Sequence, residues 1–264
     1  MNTSADKNAD KGLERKLAII TGGSRGLGKN TAIHLAQRGV DVIVTYRSKR
    51  TEADSVVTEI VALGGKAVAL QLDVGQSGSF AEFADQIRTT LHTHWQRSSF
   101  DYLVNNAGVG IYATVAETTQ VQFDELMNVH LKGTFFLTQS LLPLIADGGR
   151  IVNISSGLTR FSFPGRAAYA MMKGAVEVFT RYLATELGVR GIAVNTVAPG
   201  AIETDFGGGV LRDNREVNAH VAAQTALGRA GVPDDIGGVI ASLLSEDNRW
   251  INGQRIEVSG GMHL

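Results

Sequence analysis

A tyrosine and a lysine four residues apart, in Tyr169-Ala-Met-Met-Lys173, lie near the start of a stretch of helical period, AAYAMMKGAVEVFTRYLATEL at 167–187. An i, i+4 separation puts both side chains on one helix face. The pairing has a chemical use. A phenol of ordinary pKa near ~10 carries protons poorly at neutral pH, and a nearby ammonium favours the phenolate and lowers that value. The same spacing suits an amphipathic helix with an exposed lysine, so the surrounding motifs must decide. Ile154-Ser155-Ser156 closes an apolar run, with Ser156 thirteen residues before Tyr169, and Asn105-Asn106-Ala107-Gly108 closes another. Thr21-Gly22-Gly23-Ser24-Arg25-Gly26-Leu27-Gly28 follows a third. There, backbone amides and the positive end of a helix would face one point, a place for an anionic phosphate. The spacing Gly-x3-Gly-x-Gly differs from the Gly-x-Gly-x2-Gly of many dinucleotide-binding turns. It also differs from the Walker loop, because no Gly-Lys-Ser/Thr follows. A plain glycine turn joining strand to helix is the alternative, and the motif alone favours phosphate binding over it.

The elements that must position these residues follow from hydrophobic period. Short apolar runs at 17–21, 41–46, 67–72, 102–105, 151–154, 192–197 and 255–258 read as strands, and helical stretches separate them. The first of those helices spans 26–38 and ends at Gly39, a common stop. This alternation predicts an α/β fold, a doubly wound Rossmann-like parallel sheet of about seven strands with helices on both faces. In such a sheet the C-terminal strand ends line the ligand crevice, so the three motifs should converge there. Residues 1–14 are polar and read as a flexible lead-in. Residues 15–264 read as one dinucleotide-binding domain, since no linker or composition break divides them.

The end of the second strand selects the cofactor. A conventional NAD site carries Asp or Glu there to hold the ribose hydroxyls. Here the residues are Tyr46-Arg47, and Arg25 stands in the phosphate turn. A planar guanidinium suits a 2′-phosphate, so the expected cofactor is NADP(H).

Together TGGSRGLG, NNAG, a serine thirteen residues before the tyrosine, and YAMMK identify the chain as similar to the short-chain dehydrogenase/reductase family, of the shorter single-domain type, from about Leu17 to Gly261. The resemblance implies an oxidoreductase interconverting a carbonyl and a secondary alcohol. It implies that Tyr169 exchanges a proton with the substrate oxygen and that Ser156 hydrogen-bonds that oxygen. Lys173 would hold the ribose hydroxyls and depress the tyrosine pKa. Asp73, with Val74 beside it, matches the residue that contacts adenine, and Asn105, Ala107 and Gly108 match part of the dinucleotide crevice. Pro199-Gly200-Ala-Ile202-Glu-Thr204 matches the segment that grips the carboxamide. Gly22, Ser24, Arg25, Gly26, Leu27 and Gly28 would hold the phosphates, and Tyr46 and Arg47 the adenosine end. A homotetramer, or a homodimer, is implied as well. One position departs: His130 stands where the family usually has an asparagine supporting a water chain to the lysine, and Asn128 is out of register for it. With an unperturbed pKa of ~6.5, His130 would relay a proton and add a near-neutral titration. Alternatively it only packs and backbone groups hold the water.

Composition sets the outer bounds. Lys+Arg 25 against Asp+Glu 26 leaves a net charge of −1, with no field to attract nucleic acid or an acidic membrane surface. Zero cysteines excludes disulfides, Cys-based zinc sites and a thiol nucleophile, and fits a reducing, cytoplasmic setting. The start has no apolar signal core, and the longest apolar region, 135–145, is too short and interrupted for a span. His92 and His94 lack a carboxylate partner in the sequence nearby, so no metal is expected. Gly207-Gly208-Gly209 reads as the hinge of a flap running to about Thr225. Tyr112, Phe161, Phe163 and Phe206, with Arg160 among them, are the expected lining of a mainly apolar substrate pocket. Two other readings use the same motifs. One is a non-catalytic NADPH-binding regulator or partner subunit, and the other an epimerase or dehydratase that returns its cofactor unchanged.

Overall fold

The computed structural model describes residues 15–264, so the lead-in at 1–14 lies outside the described residues. Among the described residues seven strands form one parallel sheet: β1 (Leu17–Ile20), β2 (Asp41–Tyr46), β3 (Ala67–Gln71), β4 (Phe100–Asn105), β5 (Ile145–Ile154), β6 (Ala193–Pro199) and β7 (Arg255–Val258). Their order is β3-β2-β1-β4-β5-β6-β7. The helices are α1 (Gly26–Gln37), α2 (Arg50–Ala62), α3 (Phe80–Thr90), α4 (Gln120–Leu126), α5 (Gly133–Leu141), α6 (Ala167–Leu187), α7 (Val210–Asp213), α8 (Arg215–Ala223) and α9 (Pro233–Leu243). None of them is long and apolar enough to cross a membrane.

Alternation along the strands divides the core. Leu17 and Ile19 of β1 pack with Ile43, Phe80, Leu103 and Ile151 on one face, whereas Ala18 and Ile20 pack with Leu35, Val44, Val104 and Ile240 on the other. Both faces are covered, which is why the strands read as unbroken apolar runs. The observed strands overlap all seven expected ones. β5 starts earlier than expected, at Ile145, and this half escapes the sequence pattern because Asp147-Gly148-Gly149 shows no apolar run. Gly148 has φ +75°, and a Cβ on Gly149 would lie 2.6 Å from Asp101 O.

Chain order along the sheet reverses at β1, whose neighbours are β2 and β4, and the crevice opens at that switch point. A buried polar chain ties the site-bearing helix to the sheet beneath it. Asn105 Nδ2 donates to Asn153 Oδ1 (2.8 Å) and Thr138 Oγ1 (2.9 Å), Asn153 Nδ2 donates to Thr180 Oγ1 (2.9 Å), and Thr196 Oγ1 lies 2.8 Å from Thr180 Oγ1. These bonds join β4, β5, β6, α5 and α6, and fix the rotation of α6 about its axis.

Candidate active site

The turn from β1 to α1 is shaped by what a side chain could not fit. Gly22 and Gly26 have φ of +63° and +55°. A Cβ on Gly28 would sit 2.3 Å from Gly22 O and 2.5 Å from Asn106 Nδ2, so only glycine is accommodated. Around Gly26 nothing but the Thr204 side chain, at 3.8 Å, comes within 4 Å of that direction, so the turn faces open space. No side chain caps the α1 N-terminus at Arg25, and the first turn holds no acid. The free amides and positive helix end fit a pyrophosphate. Ser24 and Leu27 lie at the partly exposed rim.

Asn106 holds this turn in place. Its Nδ2 donates to Thr21 O (2.9 Å) and Gly22 O (3.1 Å), while Thr21 Oγ1 accepts from the amides of Asn106 (2.9 Å) and Ala107 (3.0 Å). Asn105, expected as part of the dinucleotide crevice, is instead buried in the core chain described above. Gly108 is exposed at the crevice, where a Cβ would strike His130 Cε1 at 2.8 Å.

The residues expected at the adenosine end lie at strand ends. Tyr46 is buried, and the exposed Arg47 makes no ion pair among the described residues; its carbonyl accepts from Gln71 Nε2 (2.9 Å). Arg25 lies 3.5 Å from Asp205. Asp73 Oδ1 accepts from Gly75 N (2.9 Å), which fixes the turn after β3, and Val74 O packs against Gly133 at the start of α5. Beyond β6, Pro199 and Gly200 lead to Ile202, which bridges to Gly231, and Glu203 N donates to Gly231 O (2.9 Å). Those contacts bring Thr204 beside the phosphate turn.

The residues expected to react converge at the head of α6. Ser156, not Ser155, is the serine whose hydroxyl pulls the Tyr169 pKa down; Ser155 Oγ donates into the protein, to Glu177 Oε1 (2.6 Å). Lys173 is buried, donates from Nζ to Ile154 O (2.7 Å), and lies 5.7 Å from the Tyr169 ring centroid. Loss of solvation lowers the Lys173 pKa to about 7 and pushes Tyr169 up to about 12, against the opposing pull of Ser156 and Arg166. What sets the tyrosine pKa in this geometry is burial, which raises it against the Ser156 hydroxyl and then the Arg166 charge, rather than the expected pull of Lys173. A phenol so held stays protonated at neutral pH.

His130 lies in the π-helical segment Met127–Lys132 that joins α4 to α5, with its ring edge-on to Tyr169 at 5.1 Å between centroids. It is 1% exposed. Its Nε2 lies 2.8 Å from Val109 O and 3.3 Å from Val109 N, so the 109 backbone engages this ring nitrogen, and the buried Nδ1 has no partner. Burial, then the Lys173 charge, lower its pKa to about 3. The expected near-neutral titration is thus corrected, since the imidazole stays neutral at pH 7. The His130 carbonyl is engaged by Thr134 Oγ1 (2.8 Å).

Of the expected pocket residues, Phe206 lies over the reacting end, 5.9 Å from the Tyr169 ring and packed against Gly110. Tyr112 stands at the mouth, its ring under Arg166. Phe161 and Phe163 do not serve there: they cluster with His263 at 4.8 and 5.3 Å, and Arg160 pairs with Glu257. The C-terminal tail draws them away. Gly207, Gly208 and Gly209 all adopt positive φ, directly after Phe206, and Asp205 before it is bonded to Arg212. The exposed His92 and His94 lie in a π-helical segment after α3.

The family model described as enoyl-(acyl carrier protein) reductase matches residues 22–263. An uncharacterized oxidoreductase of Methylorubrum extorquens is 41% identical over 95% of this chain and 98% of its own. A hydroxynaphthalene reductase-like protein of Metarhizium brunneum is 35% identical over 98% of each. Among solved structures, an angucycline C-6 ketoreductase with bound NADP superimposes with a TM-score of 0.89 at 37% identity, over 94% of this chain and 95% of that one. With its parallel sheet, glycine turn and Ser156–Tyr169 contact, the chain belongs to the short-chain dehydrogenase/reductase family.

Proposed function

We propose that this chain reduces a ketone on a fused-ring aromatic or related polycyclic substrate, using NADPH. The observation that carries the reading is the convergence of Ser156 and Tyr169 at the head of α6 beside the buried Lys173, whose Nζ lies 5.7 Å from the Tyr169 ring centroid. NADPH, when bound, supplies the hydride. The glycine turn and the α1 amides would hold its phosphates, Arg47 and Arg25 its 2′-phosphate, and the 199–204 segment its nicotinamide end. Tyr169 gives its hydroxyl proton to the carbonyl oxygen as the carbonyl carbon gains hydride, and Ser156 stabilises the charge developing on that oxygen. Lys173, with a pKa of about 7, replaces the proton, and neutral His130 offers Nδ1 as an acceptor along that path. Phe206 forms an aromatic wall above Tyr169, suited to a flat substrate, in keeping with the naphthalene and angucycline chemistry named for the relatives.

A Tyr169→Phe variant should lose at least about a hundredfold in kcat, the scale of general acid catalysis, while fluorescence titration finds NADPH binding unchanged. Retained turnover would leave only a binding role and favour the regulator reading. Exposed Phe135, Phe136, Met171, Val178 and Tyr182 on α5 and α6 support assembly into a homotetramer, or a homodimer, measurable by analytical ultracentrifugation.

A further inference from the structure

Glu177 lies on α6 one turn beyond Lys173, with a side chain only 13% exposed. Three groups converge on its Oε1: Ser155 Oγ at 2.6 Å, Thr159 Oγ1 at 2.8 Å and Arg255 Nε at 2.8 Å. Thr159 Oγ1 also lies 2.9 Å from Ser156 O, and Arg255 Nη2 donates to that carbonyl at 3.4 Å. One carboxylate thus grips the chain on both sides of Ser156, while its cationic partner holds the Ser156 carbonyl. The backbone amide of Ser155 is fixed too, on Val197 O at 2.8 Å. What remains free to turn is the Ser156 hydroxyl, which accepts from Leu158 N (3.2 Å) and meets Tyr169.

Arg255 comes from the edge strand β7, whose Glu257 takes its Nη1 at 2.9 Å and is held from the other side by Arg160. Burying such a charge pair costs desolvation that a packed apolar pair would avoid, so stability alone is a weak reason for it. A fixed orientation for a neighbouring hydroxyl is a stronger one, because small misplacements at a reacting centre are costly in rate. We infer that Glu177, acting with Arg255, is a positioning residue that holds the 155–159 turn so that the Ser156 hydroxyl meets the tyrosine and the carbonyl oxygen. The inference rests on the proposed Tyr169–Ser156 chemistry and adds to it a control point formed by α6 and the sheet edge.

The test compares Glu177→Gln, Arg255→Met and Ser155→Ala, each alone and in a Ser156→Ala background, with NADPH and the ketone that the wild type reduces best. Alone, Glu177→Gln and Arg255→Met should lower kcat on the order of tenfold to a hundredfold, with NADPH affinity within about twofold of wild type. Ser155→Ala removes a single buried hydroxyl and keeps the test open if the charged variants fold poorly; it should lower kcat in the same direction. In the Ser156→Ala background each change should cost less than about twofold further, because residues acting through one hydroxyl are not additive. In alcohol oxidation, the tyrosine limb of the pH profile should move upward in the single variants, as loss of the Ser156 bond predicts. Equal losses with and without Ser156, or an unchanged kcat beside a lowered Tm, would overturn the inference and leave the cluster a structural brace. If Tyr169→Phe keeps full activity the proposed chemistry itself fails; if it is inactive while Glu177→Gln is unaffected, only the positioning role does.

Discussion

Burial of Lys173 makes a prediction about stability that needs neither cofactor nor substrate. Its amino group falls from 10.5 to about 7 because desolvation outweighs the single bond to Ile154 O. Between those values the unfolded chain binds a proton that the folded chain does not, so unfolding free energy rises with pH. The benefit is complete above the unfolded pKa and disappears as pH falls through about 7. A shift of this size corresponds to about 5 kcal/mol at most, at 1.36 kcal/mol per pKa unit. Between pH 7, where the folded group is half-titrated, and pH 9, about 2 kcal/mol of it should be gained. Neither neighbour interferes in that window: Tyr169, at about 12, titrates above it, and His130, at about 3, below it.

The assay is urea unfolding of the cofactor-free protein at pH 7 and pH 9, for wild type and Lys173→Met. The methionine keeps most of the buried volume and cannot titrate. The difference between the two proteins should shift by about 2 kcal/mol in favour of wild type at pH 9. A difference that ignores pH between 7 and 9 would show that the Lys173 pKa is not depressed, whether it is ordinary or raised by pairing. That result would refute the reasoning and remove Lys173 as the group proposed to return a proton to Tyr169.

Other tests address the cofactor and the departing residue. Arg47→Asp should move the ratio of specificity constants from NADPH toward NADH by at least about tenfold, since a carboxylate there repels a 2′-phosphate and can hold ribose hydroxyls. Gly28→Ala should weaken NADPH binding strongly and cost about 1–3 kcal/mol in chemical unfolding, because its Cβ would meet Gly22 O at 2.3 Å and force the turn open. His130→Asn should leave the pH-rate profile between pH 5 and 8 unchanged in shape, since the histidine it replaces is already neutral there; a lost inflection near pH 6.5 would show that His130 titrates after all.

Much of the site was legible in the sequence because its requirements are local. A phosphate turn needs glycines at fixed offsets, and a strand that is covered on both faces needs an unbroken apolar run. The i, i+4 pair on α6 likewise depends only on helix geometry. What was not legible depends on distance in the chain or on depth. Arg255 meets Glu177 across 78 residues, and Phe161 meets His263 at the far end of the molecule, so no spacing announces either contact. The shift of His130 follows from its 1% exposure, a property of the packing rather than of the residue type.

The two polar doublets at strand ends show why neighbours of one type divide their work. Side chains on a strand alternate between faces, so of two successive residues at the end of β4 or just beyond β5, one is committed to the interior. Asn105 and Ser155 take that place, bonded to Asn153 and Glu177, and Asn106 and Ser156 are left at the crevice, one on the phosphate turn and the other on Tyr169. In each doublet the inward member anchors the backbone from which the outward member acts. Changing the inward residue should therefore disturb the outward one's function before it unfolds the protein, and this gives Ser155 and Glu177 a reach into the chemistry although neither faces the crevice.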